Sequence, residues 1–216
     1  MSTELVWPVQ VTEWDPSPEL KPVGNVVLVV IDLHSDGPRT IDAAGLAIRD
    51  DRNERAAELV SAFRAKSAPV VFVHEVHNST LVDFGRELDN NEEPYAVEGA
   101  VGTEIFPGLA PTDDEYTIIK RRHSAFFGTE LDIVLRGYHA ETIILIGDRT
   151  DAAIHYTAVD AHQHDYRIRV ISDLVIGSDA ELNDAALRAI KYLQRDALIS
   201  TDAVHDWLDT LPAPQS

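Results

Sequence analysis

Val26-Val27-Leu28-Val29-Val30-Ile31-Asp32 is a run of six apolar residues, five of them β-branched, closed by an acid. No polar residue alternates with them, so the run reads as a strand buried on both faces. Such strands lie inside parallel sheets, with helices covering each side. Residues 69–73, 116–119, 142–146, 167–171 and 198–200 read as further strands. Between them, residues 52–66 place Ala56, Leu59, Val60 and Phe63 on one helical face. Residues 130–136, turning through Gly137, and 151–162 read as two more helices, and 180–193 as an amphipathic helix built on Leu182, Ala186, Ala189, Ile190 and Leu193. Thr201-Asp202 then caps a last helix ending near Leu208. The expected fold is a three-layer α/β/α sandwich with a mainly parallel six-stranded sheet.

Residues 1–22, with Trp7-Pro8, Pro16, Pro18 and Pro22, read as an N-terminal arm, and 23–210 as one domain. The tail, 212–216, is expected to fray. Residues 77–115 carry glycine, proline and acids, and a connection this long is expected to be a lid or an oligomer contact. The chain has 216 residues, 44% hydrophobic and 25% charged, enough for one domain with a full core. No stretch approaches the roughly 18 apolar residues of a membrane helix, and Met1-Ser2-Thr3-Glu4 lacks the basic start of a signal peptide. A cytoplasmic protein is expected. The absence of cysteine excludes disulfides, thiolate metal sites and a cysteine nucleophile in this chain. A formal charge of −19 argues against nucleic acid or anionic membrane as partner, since phosphate binding needs a basic surface. The acidity reads as a device for solubility, with adaptation to high salt as the alternative. Arg121, Arg122 and Arg149 are the cations placed to hold an anionic substrate.

In sheets of this kind ligands bind beyond the carboxyl ends of the strands. Asp32, Glu75, Lys120 and the turn at 147–153 all fall there. Asp32 alone reads as a turn cap. Lys120 ends another apolar run, and a lysine there needs a partner, which favours a joint acid–amine site. His77, Glu75 and His34 read equally well as pocket walls or as ordinary strand-end residues. Arg149 reads as a carboxylate ligand or as a partner of Asp148 or Asp151. Phe126, Phe127 and Tyr156 read as core or oligomer contacts, any one of which would also suit a small planar amide. The turn at Gly147 is unlike a phosphate loop, which disfavours nucleotides.

Several ordered motifs resemble the isochorismatase-like, or cysteine, hydrolases over roughly 26–204. Val30-Ile31-Asp32 is similar to the family's first motif, with His34 where a Gln is usual. Glu75-Val76-His77 and Asp83-Phe84-Gly85-Arg86-Glu87-Leu88-Asp89 are similar to a subgroup's loop, and Lys120-Arg121-Arg122-His123-Ser124-Ala125-Phe126 resembles the Lys-x-Arg-Tyr-Ser-Ala-Phe segment. Gly147-x-x-Thr150 through Thr157-Ala158-x-Asp160-Ala161 resembles the nucleophile helix. The resemblance implies Asp32 as general base, Lys120 as its charge partner and Ala153 at the position of the catalytic cysteine. It also implies a cis peptide at Asp148-Arg149, with the N–H groups of Arg149 and Ala153 forming an oxyanion hole. The implied reaction is hydrolysis of a small carboxamide or ureido compound in a homodimer or homotetramer, with no cofactor. Some relatives bind metal through Asp-x-His; Glu75-x-His77 has no evident further ligands, so no metal is expected.

Alanine has no nucleophilic atom. Three explanations follow, in order of preference: a Cys→Ala substitution in an amidase, a natural enzyme of the isochorismatase type whose acid protonates a vinyl ether, or a catalytically silent relative. Against the second, isochorismatases commonly carry Tyr-Ala-His in the turn and His after Ser-Ala-Phe, where this chain has Arg149-Thr150-Asp151 and Phe127.

Overall fold

The computed structural model describes residues 22–34, 43–89, 93–100 and 103–212, without the side chains of 43–46. Most of the expected N-terminal arm, with Trp7, and the tail beyond residue 212 lie outside the described residues. The chain alternates β1 (Val26–Ile31), α1 (Ala43–Ala65), β2 (Val70–Glu75), β3 (Tyr116–Lys120), α2 (Leu131–Gly137) and β4 (Thr142–Asp148). It continues through α3 (His155–Gln163), β5 (Arg167–Ile176), α4 (Ala180–Leu193), β6 (Leu198–Ile199) and α5 (Thr201–Thr210). The six strands form one sheet in the order β3-β2-β1-β4-β5-β6, and every described pairing is parallel.

Side-chain alternation divides the core into two layers. Val27, Val29 and Ile31 of β1 face α2, α3 and α4, where Leu131, Leu135, Ala158, Ala161 and Ile190 close over them. Val26, Leu28 and Val30 face the opposite way, against Leu59, Val60 and Phe63 of α1 and Val204, Trp207 and Leu208 of α5. The three-layer sandwich read from the sequence is the fold found. Among the described residues no helix is long and apolar enough to cross a membrane.

Several boundaries differ from the sequence reading. The α1 helix begins at Ala43 rather than residue 52; among the described side chains of the added stretch only Arg49 is buried, so no apolar stripe marks it. β5 runs on to Ile176 past Ser172-Asp173, which interrupt the apolar run. Asp173 bonds the Thr201 N–H at 3.0 Å and its hydroxyl at 2.8 Å, tying β5 to the start of α5. That helix is capped by Ser200, whose hydroxyl accepts from the Ala203 N–H, one residue before the expected cap. The expected helix over 151–162 opens as a π turn, Thr150–Ile154, before α3 begins.

The strand order puts a switch point at β1 and β4: the chain leaves β1 toward β2 on one side and returns to β4 on the other. The crevice beyond their carboxyl ends is where sheets of this kind hold ligands.

Candidate active site

Three strand ends bring one amine and two carboxylates together. Lys120, the last residue of β3, is fully buried. Its ammonium lies 2.8 Å from Asp32 Oδ2, makes a very short contact with Glu75 Oε2 and donates to the Arg122 carbonyl at 3.2 Å. An ammonium has three N–H donors, and these acceptors take all of them. Parallel register explains the meeting of Glu75 and Lys120, which are direct partners in the β2–β3 ladder. Asp32 follows β1, with its backbone in the left-handed region (φ 53°) that aspartate tolerates better than most residues. Its N–H donates to the Val73 carbonyl, and its Oδ1 accepts the Glu75 N–H at 2.6 Å.

The electrostatics separate the two acids. Burial pushes the Asp32 carboxyl above its ordinary range; Lys120 opposes this but does not cancel it, and the Glu75 charge adds to it. Burial also pushes Glu75 up, but the His77 hydrogen bond and the Lys120 charge prevail and hold it at about 2. Lys120 resists its own burial because both carboxylates face it, and its proton is held more tightly than usual. One acid is fixed as an anion, and the other is left able to take up a proton.

From the sequence, Glu75 and His77 read equally as pocket walls or as strand-end residues. The structure places them inside this network: Glu75 Oε1 is 3.1 Å from His77 Nε2, and the buried His77 ring stacks on Phe84 at 3.7 Å. Asp83 stands 3.5 Å from His77 Nδ1 and binds the Asn78 N–H and Arg121 Nε. Arg122 donates to the Asp83 carbonyl at 2.7 Å and lies against Gly85, whose φ of +59° leaves room that a side chain would take from the guanidinium. Arg121 and Arg122 therefore hold the loop after β2.

On the other side of the crevice, the peptide between Asp148 and Arg149 is cis, as the family resemblance implied. The Arg149 carbonyl receives the N–H groups of Ala152 and Ile154, each at 3.1 Å, and these two residues flank Ala153. Ala153 is buried, in the core layer that α2, α3 and α4 close over the sheet. Arg149 forms no ion pair with Asp148 or Asp151: Arg52 of α1 takes Asp148 in a two-pronged bond of 2.9 and 2.7 Å, while Ser178 holds Asp151. Arg52 also donates to the Gly147 carbonyl at 3.1 Å. Sequence reasoning missed Arg52; an arginine in the apolar stripe of a predicted helix was its only signal.

Of the remaining candidates, His34 stays near Asp32 and the aromatic ones scatter. His34 forms an isolated bridge with Ile105, and its ring sits 5.9 Å from that of His74. Phe126 stacks on His164 and Tyr166, toward the amino ends of the strands and away from the crevice. Phe127 is 65% exposed, and half-exposed Tyr156 stacks on His123. Ser124 bonds Asp160 at 2.5 Å, and Thr157 Oγ1 accepts the Ala125 N–H at 2.9 Å, which pins the segment after Lys120 to α3.

The isochorismatase domain, as a family, matches residues 26–203. An uncharacterized isochorismatase family protein of Bacillus subtilis is 32% identical over 167 residues, covering 77% of this chain and 85% of its own. A probable inactive nicotinamidase of Arabidopsis thaliana is 28% identical over 197 residues, covering 87% and 96%. Among solved structures, the N-carbamoylsarcosine amidase of Thermoplasma acidophilum superposes with a TM-score of 0.69 at 26% identity, covering 83% of this chain and 98% of that one.

Proposed function

This chain belongs to the isochorismatase family, and on that premise we propose that its scaffold serves hydrolysis of a C–N bond in a small carboxamide or ureido compound. The observation that carries the reading is the buried Asp32–Lys120 pair, 2.8 Å apart, at the strand-end crevice that also holds the Asp148–Arg149 turn and Ala153. An amidase among the structural relatives supports the same class of bond.

We assign Ala153 to the position of the family's nucleophilic cysteine. With a thiol there, Asp32 takes the thiol proton and the sulfur attacks the carbonyl carbon. The N–H groups of Arg149 and Ala153 meet the developing oxyanion, and Asp32 returns the proton to the departing amine. Water then cleaves the acyl–sulfur bond, with Asp32 again as base. Alanine cannot begin this sequence, so the chain as written is expected to bind substrate without turning it over. Self-assembly into a dimer or tetramer through the 77–115 segment is part of the proposal, read by the mass of the particle in solution. A second reading, a naturally silent relative, draws support from the resemblance to a probable inactive nicotinamidase.

The test is a paired assay of this chain and its Ala153→Cys variant, following ammonia release from a panel of amides and ureido acids, with isochorismate included. Release by the cysteine variant alone supports the amidohydrolase reading. Consumption of isochorismate by the unaltered chain would replace it with chemistry that needs no nucleophile. Silence of both proteins on every compound favours the silent relative.

A further inference from the structure

We propose that Glu75 is a positioning residue of this site: it is the permanent counter-ion of the Lys120 ammonium, and it lets Asp32 gain and lose a proton without leaving that ammonium unpaired. The inference rests on the acid–base role proposed for Asp32.

A buried lysine with one carboxylate partner is paired only while that partner is ionised. Protonating the partner leaves an uncompensated charge, one of the costlier states a protein interior can hold. If Asp32 takes a proton from a thiol, or donates one to a leaving group, a site built from Asp32 and Lys120 alone would pass through that state in each cycle. This site holds a second carboxylate. Glu75 Oε2 contacts the ammonium directly while Oε1 bonds His77 at 3.1 Å, so both of its oxygens are engaged by donors. Its own N–H reaches Asp32 Oδ1 at 2.6 Å, which links the two acids through the backbone as well. His77 cannot swing away, being fully buried between the Phe84 face and the Tyr95 edge.

Charge bookkeeping points the same way. With both carboxylates ionised the trio carries −1, and with Asp32 protonated it is neutral. The groups facing it are His34 after β1, His74 and His77 on and after β2, Asp83 on the following loop, and Arg121 after β3. Within that set burial favours the proton on Asp32, whereas Glu75 remains an anion down to about 2. The proton moves between Asp32 and the reacting group, and Glu75 and Lys120 exchange none.

Two measurements test this without any substrate. The first is a mutant cycle read by urea unfolding, with Asp32→Asn standing for the protonated acid. Asp32→Asn and Glu75→Gln each leave Lys120 one carboxylate, whereas the double variant leaves none. The double is expected to lower the folding equilibrium constant at least tenfold more than the two singles combined, and failure of the double alone to fold is the extreme of the same result. The second uses the absence of cysteine: in Ala153→Cys the introduced thiol is the sole thiol, and its alkylation by iodoacetamide reports its ionisation. Removing a buried negative charge by Glu75→Gln is expected to move the alkylation profile down by about one pH unit or more, with Glu75→Asp restoring it. A merely structural role would not move the profile downward. Additive losses, an Asp32→Asn chain as damaged as the double, or a profile that stays in place or rises overturns the proposal. Failure of Ala153→Cys to hydrolyse any amide would count against the amidohydrolase reading and leave both measurements on Glu75 standing.

Discussion

At Gly147 a single hydrogen decides whether β1 and β4 can meet. Its φ is +136°, and a Cβ built there would lie 1.8 Å from the Ile31 carbonyl oxygen, in backbone that cannot give way. Gly147→Ala is therefore expected to cost more than about 4 kcal/mol, at the far end of single substitutions, and the urea midpoint checks it. Lys120 carries a comparable burden. Lys120→Met leaves Asp32 and Glu75 buried against each other with no cation, and breaking a buried pair in this way costs about 3–5 kcal/mol. A midpoint near that of the parent chain would show that water or a shared proton replaces the ammonium. Both residues are visible in the sequence: a glycine after an apolar run marks a special backbone, and a lysine in the same place marks a pairing. Their partners are not visible, because Glu75 lies 45 residues from Lys120 and meets it only through strand register.

Between elements, the contact that shapes the site is the one from α1 to the end of β4. Arg52 spans that gap to grip both Asp148 oxygens and the Gly147 carbonyl, and its side chain is 3% exposed. Lysine offers a point charge in place of a planar fork and cannot make the two-pronged bond. Arg52→Lys is expected to lose about 1–3 kcal/mol, the worth of charge-assisted hydrogen bonds left unmade, and to slow alkylation of an Ala153→Cys thiol if the turn loses its shape. An unchanged urea midpoint would mean that Asp148 finds other partners. The same helix shows where sequence reading stopped. Six strands and five helices were legible because apolar runs and apolar stripes carry their own period. The first nine residues of α1 were not, since among their described side chains only Arg49 is buried, which no hydrophobic pattern marks. The second half of β5 was lost for the same reason: Ser172 and Asp173 sit within the strand and serve a contact to α5.

Over the whole molecule two electrostatic effects oppose each other as pH falls. The chain carries −19 at pH 7 with an isoelectric point near 4.6, so acidification relieves self-repulsion and favours the compact state. His74 acts the other way. It is buried next to His34 and near Lys120, neither ring nitrogen has a partner among the described residues, and burial with these two neighbours lowers its pKa to about 4. A folded value below the unfolded 6.5 means the neutral ring supports folding. That support is complete above pH 6.5 and is lost as pH falls toward 4, amounting to about 3 kcal/mol at ~1.4 kcal/mol per unit. Glu75 contributes in the same sense but lower, between about 4.5 and 2, while the raised Asp32 contributes in the opposite sense. Salt distinguishes the two effects, because it screens surface repulsion and leaves a buried ring almost untouched. Unfolding free energy in 0.5 M sodium chloride is therefore expected to decline from pH 6.5 to 4, and His74→Leu is expected to flatten that decline by most of its depth. Equal slopes for parent and variant would place the acid sensitivity elsewhere and make His74 an ordinary core residue.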